Sequence, residues 1–208
     1  MASETTIQIW NGLMEDIQNE YGVAGLMGNL QAESGLIPYR VQGDFTDGYV
    51  TSITYTEQVD SGTVSESDFV NTEQGYGLAQ WTFSTRKQGL YDMKESMGLS
   101  IGSVEVGIAY LLHELKNDFA EVYEVLKNAI SVSQASDIVL FDFESPADQS
   151  DEVVIERRSL GEAIYNELGT GTTPGGSTDD REDKHKATKK KYNFLILNAR
   201  RRRSTWIS

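Results

Sequence analysis

Apolar residues recur at helical spacing from the N-terminus onward. Ser3 is a candidate N-cap for the first run. The run alternates by three and four positions and consists of Ile7, Trp10, Met14, Ile17 and Tyr21. This spacing places one apolar stripe against a core, so it predicts a first helix.

A second apolar run predicts a helix that ends at Glu33. Its members are Val23, Leu26, Met27 and Leu30. Ser34, Gly35 and Pro38 follow as stop signals. A carboxylate in a last turn faces the negative end of the helix dipole, which disfavours the ionised form. A carboxyl that keeps its proton can serve as a general acid, so Glu33 is a catalytic candidate. The alternative is an exposed glutamate in a frayed turn.

Residues 34–74 have a different composition, rich in Thr, Ser and Tyr and interrupted by Gly43, Gly48 and Gly62. Within them, residues 49–56 alternate β-forming side chains, which is typical of a strand. We therefore predict a small β-hairpin lobe with irregular loops. The alternative is a surface insertion without a binding role.

Capping signals predict several helices after Gly75. Residues 85–88 and 131–134 match capping boxes, and Ser103 precedes another apolar run. The order Ser145, Pro146, Asp148 predicts the start of a last helix through Leu168. The fold class is therefore α+β and predominantly α-helical.

Charge and composition divide the chain into three parts. We predict a domain over residues 1–168, a flexible Gly/Thr/Ser-rich linker over 169–187 and a basic tail over 188–208. The net charge is -14, but residues 181–208 hold 10 of the 18 cations and 2 of the 32 acids, which leaves -22 for residues 1–180. An acidic body argues against nucleic-acid binding by the folded domain.

Residue types exclude several chemistries. The chain has no Cys and only His113 and His185, so a thiolate nucleophile and the usual zinc sets of wall amidases are absent. No Walker-type loop occurs, and we expect no cofactor. The N-terminus lacks the features of a signal peptide. We therefore expect synthesis in the bacterial cytoplasm, and action outside the cell would require lysis or assembly into a virion.

Two motifs resemble the paired signature of lysozyme-like glycosidases, and most closely the bacteriophage tail lysozyme family. They are Ala32-Glu33-Ser34-Gly35-Leu36-Ile37-Pro38 and Gly75-Tyr76-Gly77-Leu78-Ala79-Gln80-Trp81. Goose-type lysozymes and lytic transglycosylases share a similar pair. The resemblance extends from about residue 7 to about residue 168. It implies a lysozyme-like fold in which the β-hairpin lobe forms one wall of a substrate cleft.

The resemblance also implies a chemistry and a set of site residues. Glu33 would protonate the oxygen between N-acetylmuramic acid and N-acetylglucosamine. Candidates for a second carboxylate are, in order, Asp47, Asp44 and Glu73, each with an ordinary loop acid as its alternative. Candidates for substrate binding are Tyr39, Tyr76 and Trp81, which could stack on sugars or pack in the core, and Gln80, which could bind an N-acetyl group.

We therefore predict a peptidoglycan glycosidase, either a phage tail lysozyme or an endolysin. Alternatives are a lytic transglycosylase, a conjugation-associated wall hydrolase and a non-catalytic wall-binding virion module. The expected partners are peptidoglycan glycan strands, with teichoic acids as candidates for the basic tail and phage tail proteins for the particle.

Overall fold

The computed structural model describes residues 1–43 and 51–171 of the chain. These residues form a predominantly helical domain. Its α-helices are α1 Glu4–Ile17, α2 Glu20–Ser34, α3 Ser52–Asp60, α4 Glu66–Asn71, α5 Ser84–Met97, α6 Val104–Asn117, α7 Ala120–Lys127, α8 Val132–Ile138 and α9 Asp151–Leu168, with a π-helical segment, Val139–Glu144, after α8. Across this part of the chain, no helix is long and apolar enough to cross a membrane.

Three helices start at the side-chain caps that the sequence predicts. The hydroxyls of Ser3, Ser103 and Ser131 accept hydrogen bonds from backbone N–H groups three residues later. Such a bond satisfies a donor that has no partner within the helix. These three predicted starts are confirmed. Helix α5 begins one residue before the predicted capping box, at Ser84, and has no side-chain cap.

The buried face of α1 differs in part from the predicted stripe. Ile9 and Leu13 are fully buried, whereas Ile7 keeps 42% of its surface exposed. The sequence has isoleucine at both positions 7 and 9, and spacing alone does not choose between them.

The predicted β-hairpin is absent from the described residues, which contain isolated bridges between Val41 and Tyr76 and between Tyr76 and Trp81 but no strand. Residues 52–56 were predicted as strand and are helical. The reason is local, because the Thr51 hydroxyl accepts a hydrogen bond from the Thr54 N–H and starts α3 as its N-cap. Thr favours both strands and caps, and the cap prevails here.

The last helix also begins later than predicted. Ser145 adopts a left-handed conformation, with φ 46°, and its N–H donates to the Leu140 carbonyl, so it ends the π-helical segment. Helix α9 follows from Asp151, with Ser150 as the preceding residue. The Ser-Pro pair therefore lies in the connection. After α9, the backbone N–H groups of Thr170 and Gly171 donate to the Glu20 carboxylate.

Helix α2 is the centre of the domain. Residues from Gly22 to Leu30 are buried without interruption, and α2 packs most extensively on α9 and α8. An apolar helix surrounded by other helices is a core helix. Its C-terminal end carries Glu33 to the edge of this core.

Candidate functional site

Two glycines of α2 allow neighbouring helices to approach it closely. A methyl group at Gly28 would lie 2.7 Å from the Arg157 carbonyl oxygen and 2.6 Å from the Gly161 nitrogen, both on α9. A methyl group at Gly25 would meet Ala135 and Ser136 of α8 at 2.5 and 2.6 Å. Real side chains essentially never come so close, so glycine permits these approaches. The contact between α2 and α9 brings Arg157 beside the last turns of α2.

The end of α2 fixes the backbone around Glu33. The helix ends at Ser34, and Gly35 caps it with φ 67° and a hydrogen bond from its N–H to the Gln31 carbonyl. Leu36 then continues in the left-handed region, with φ 59°, and its side chain is buried. The predicted placement of Glu33 in the last turn is confirmed. Its side chain keeps 22% of its surface exposed, which is enough for a ligand to reach it.

Arg157 is the ion-pair partner of Glu33. Its Nη2 donates to Glu33 Oε1 at 2.5 Å, and its Nη1 donates to the Asn29 carbonyl oxygen at 3.2 Å. The Arg157 side chain is 9% exposed. Among the described residues, Glu33 Oε2 makes no hydrogen bond. One oxygen of Glu33 is therefore held by the protein and the other remains available to a substrate.

Asn29 fixes the same region from inside the core. Its side chain is fully buried, and its Nδ2 donates to the Ser136 carbonyl oxygen and hydroxyl on α8 at 3.2 Å each. The Asn29 backbone carbonyl accepts from Arg157. A satisfied polar network in a core restricts side chains to one arrangement. Asn29 therefore links α8 and Arg157 to the turn before Glu33.

Glu144 is a second carboxyl beside this ion pair. It ends the π-helical segment, and its Oε1 is buried without a hydrogen-bond partner in the described structure. Burial, followed by the charges of Glu33 and Glu114, raises the pKa of Glu144 to about 8 against the opposing charges of Arg86 and Arg157. At neutral pH, Glu144 is therefore mainly a neutral carboxylic acid.

Two of the charged residues that act on Glu144, Arg86 and Glu114, belong to a buried hydrogen-bond network. Glu114 of α6 accepts from Arg86 Nε at 2.7 Å, Arg86 Nη2 at 2.9 Å, Trp81 Nε1 at 2.7 Å and the Tyr110 hydroxyl at 2.9 Å. The Arg86 guanidinium also lies 4.8 Å from the centre of the Phe143 ring. The second motif is thereby fixed to α5 and α6 through Trp81.

The second motif packs tightly on Arg40, two residues after the first motif. Gly77 has φ 81°, its N–H donates to the Arg40 carbonyl oxygen at 2.8 Å, and a methyl group there would lie 2.9 Å from the Trp81 ring. Gln80 has φ 46°, and its Nε2 donates to the carbonyl oxygens of Arg40 and Gly77 at 3.1 and 2.9 Å. A left-handed glutamine is uncommon and requires compensating contacts.

The predicted substrate-binding aromatics lie in or against the core. Tyr76 and Trp81 are each 1% exposed, and the Tyr76 hydroxyl bonds the Thr56 hydroxyl at 2.7 Å. Burial raises the pKa of Tyr76. Tyr39 is partly buried against the same core. These positions correspond to the core-packing alternative that the sequence left open, and the Gln80 amide is engaged within the motif.

The structure describes only one of the three candidates for the second carboxylate. Asp44 and Asp47 lie outside the described residues. Glu73 is exposed in the loop between α4 and the second motif. The Lys87 ammonium, buried below that loop, donates to the carbonyl oxygens of Thr72 and Gln74 on either side of Glu73.

Sequence reasoning missed Arg157 and Glu144. Arg157 lies 124 residues after Glu33, and Glu144 ends the π-helical segment that precedes α9. No local spacing therefore links either residue to Glu33. The available signal was indirect, because Arg157 precedes a glycine that permits close helix packing.

One comparison with known proteins gives a match to this chain. The family model described as phage tail lysozyme matches residues 4–168. The matched range covers both motifs and every helix of the described domain. No curated protein matches the chain.

Proposed function

Because the chain belongs to the phage tail lysozyme family, we propose that it cleaves the glycan bond between N-acetylmuramic acid and N-acetylglucosamine with Glu33 as the general acid. Family membership makes the protein a cell-wall lytic enzyme that acts on peptidoglycan. The bond and the acid are the parts that we propose.

The environment of Glu33 is the observation that carries this proposal. Its carboxyl is partly exposed at a helix end inside the first motif, with Oε1 on Arg157 and Oε2 without a partner among the described residues. A general acid must reach the leaving oxygen and then remain in place as a carboxylate. Oε2 is the atom that would give the proton, and Arg157 would stabilise the negative charge that remains.

Loss of the leaving group creates an oxocarbenium-like sugar that needs a second partner. In a hydrolase, a second carboxylate would activate a water or bind the sugar covalently. We retain Asp47, Asp44 and Glu73 as candidates in that order. In a transglycosylase, the substrate's own hydroxyl would attack instead. Mass spectrometry of digested Gram-positive peptidoglycan distinguishes them, because hydrolysis leaves reducing ends and transglycosylation leaves 1,6-anhydro sugars.

Substitution of the proposed acid tests the function directly. We expect Glu33→Gln to reduce the rate of peptidoglycan cleavage by about 100-fold or more, the scale of positioned acid–base groups, while the far-UV circular dichroism spectrum remains that of the wild type. The matched control is Glu15→Gln, an exposed glutamate on α1, which should retain the wild-type rate. Wild-type cleavage by folded Glu33→Gln would overturn the proposal.

A further inference from the structure

Glu144 has no assigned task in the chemistry above, yet it lies where a carboxyl is costly. The residue keeps some exposed surface, but its Oε1 is buried and unpartnered in the described structure. A buried polar atom without a hydrogen bond destabilises a fold, and a buried anion does so far more. The neutral acid is therefore the form that this packing accommodates.

Charged groups from four helices act on Glu144. They are Glu33 of α2, Arg86 of α5, Glu114 of α6 and Arg157 of α9. The remaining packed helices add little, because Asp137 of α8 is bound to Arg158 and the charged residues of α7 are exposed. With Glu144 neutral, two guanidinium groups face two other glutamates. Ionisation of Glu144 would add a third carboxylate to two cations.

Arg86 and Arg157 differ in how strongly their present partners hold them. Arg86 is held by two hydrogen bonds to the buried Glu114 and lies against the Phe143 ring. Arg157 makes one hydrogen bond to the Glu33 carboxylate and longer ones, at 3.2 and 3.5 Å, to uncharged oxygens of Asn29. The Glu33 side chain is also more exposed than that of Glu114. A new buried anion would therefore draw Arg157 rather than Arg86, because the Arg86 pair would lose more.

We propose that Glu144 is a positioning residue for Arg157. When Glu144 is protonated, Arg157 stays paired with Glu33. When Glu144 is ionised, it attracts Arg157 away from Glu33, and the Glu33 carboxyl loses the partner that orients it. The consequence for catalysis rests on the proposed function, whereas the exchange of Arg157 between carboxylates does not. The position of Arg157 thereby depends on pH through Glu144.

Nuclear magnetic resonance of the full chain tests the exchange without an activity assay. We expect the ¹⁵N resonance of the Arg157 guanidinium, assigned with Arg157→Lys, to shift with a midpoint near pH 8, the pKa that burial gives Glu144. Glu144→Gln and Glu144→Met remove the charge in two different ways, and the shift should disappear in either. Glu121→Gln, an exposed glutamate of α7, should leave it unchanged.

Peptidoglycan cleavage gives the second readout. The ratio of the Glu144→Gln rate to the wild-type rate should rise about twofold from pH 6 to pH 8 and about tenfold by pH 9, because only the wild type ionises there. An Arg157 resonance that does not titrate near pH 8, or that titrates equally in the Glu144 variants, overturns the proposal. Absence of glycan cleavage with the expected resonance shift would instead refute the proposed function alone.

Discussion

The buried carboxylate of Glu114 connects the second motif to the helices that support it, so its removal is a sharp test of the architecture. Glu114 accepts four hydrogen bonds, two from Arg86 and one each from Trp81 and Tyr110. Its side chain is 2% exposed and that of Arg86 is 20% exposed. Glu114→Ala would leave a guanidinium without its carboxylate and two buried donors without an acceptor.

Measured costs of such changes set the expected size. Removing one partner of a buried ion pair costs about 3–5 kcal/mol, and a buried donor without a partner costs about 1–3 kcal/mol. These terms share one carboxylate and do not add. We expect Glu114→Ala to lower the free energy of unfolding by about 4 kcal/mol, a large share of the roughly 5–15 kcal/mol of a typical domain.

The assay is urea unfolding followed by far-UV circular dichroism, since tryptophan fluorescence would report on the altered Trp81 itself. Glu105→Ala is the matched control, because Glu105 is exposed on the same helix. It should cost less than about 1 kcal/mol. The double variant Arg86→Met with Glu114→Leu should be more stable than Glu114→Ala, because it leaves no buried charge without a partner. A loss below about 1 kcal/mol for Glu114→Ala would refute this account of the network.

Two further predictions concern residues outside the described network or at its edge. If the enzyme is a hydrolase, one of Asp44→Asn, Asp47→Asn and Glu73→Gln should lose about 100-fold or more of the cleavage rate, and near-normal rates in all three would favour attack by the substrate's own hydroxyl. Truncation after Leu168 should leave cleavage of small soluble glycans intact and weaken binding to whole walls at low salt only, because charge contacts are screened over about 8 Å at physiological ionic strength. Equal wall binding by both proteins across a salt series would rule out a polyanion-binding tail.

Local rules predicted the helix ends well because capping is a contact within three residues. Ser3, Ser103 and Ser131 each act on the N–H three positions ahead, and Gly35 ends α2 by adopting a left-handed conformation. Each of these signals involves residues no more than about one helical turn apart in the sequence. The tail lysozyme resemblance and the placement of Glu33 at a helix end follow from segments of this kind.

Prediction failed where one residue type supports two local structures. Thr51 could begin a strand or cap a helix, and its hydroxyl caps α3. Ser145 and Pro146 match a helix start, but Ser145 closes the π-helical segment first. The bond from the Ser145 N–H to the Leu140 carbonyl oxygen closes a π-helical turn, which the local pattern does not predict.

The site itself required tertiary information. Arg157 approaches Glu33 because α9 packs against α2 through Gly28 and Gly161. Glu144 comes from a different element, the π-helical segment after α8. Each residue taken alone is an ordinary charged residue of a helix or a connection. Their significance arises from burial and from mutual distance, and neither quantity is encoded in spacing along the chain.

The same helix contact bears on the proposal that Glu33 serves as the acid. Sites on packed helices are more precise than sites on loops. Glu33 extends from the most buried helix of the domain, and Arg157 extends from a helix that packs closely against it at Gly28. Neither the proposed acid nor its cation is therefore carried by a loop. The cost of this arrangement is that charges must balance within a poorly solvated cluster, which favours a neutral Glu144 at the pH where the site is intact.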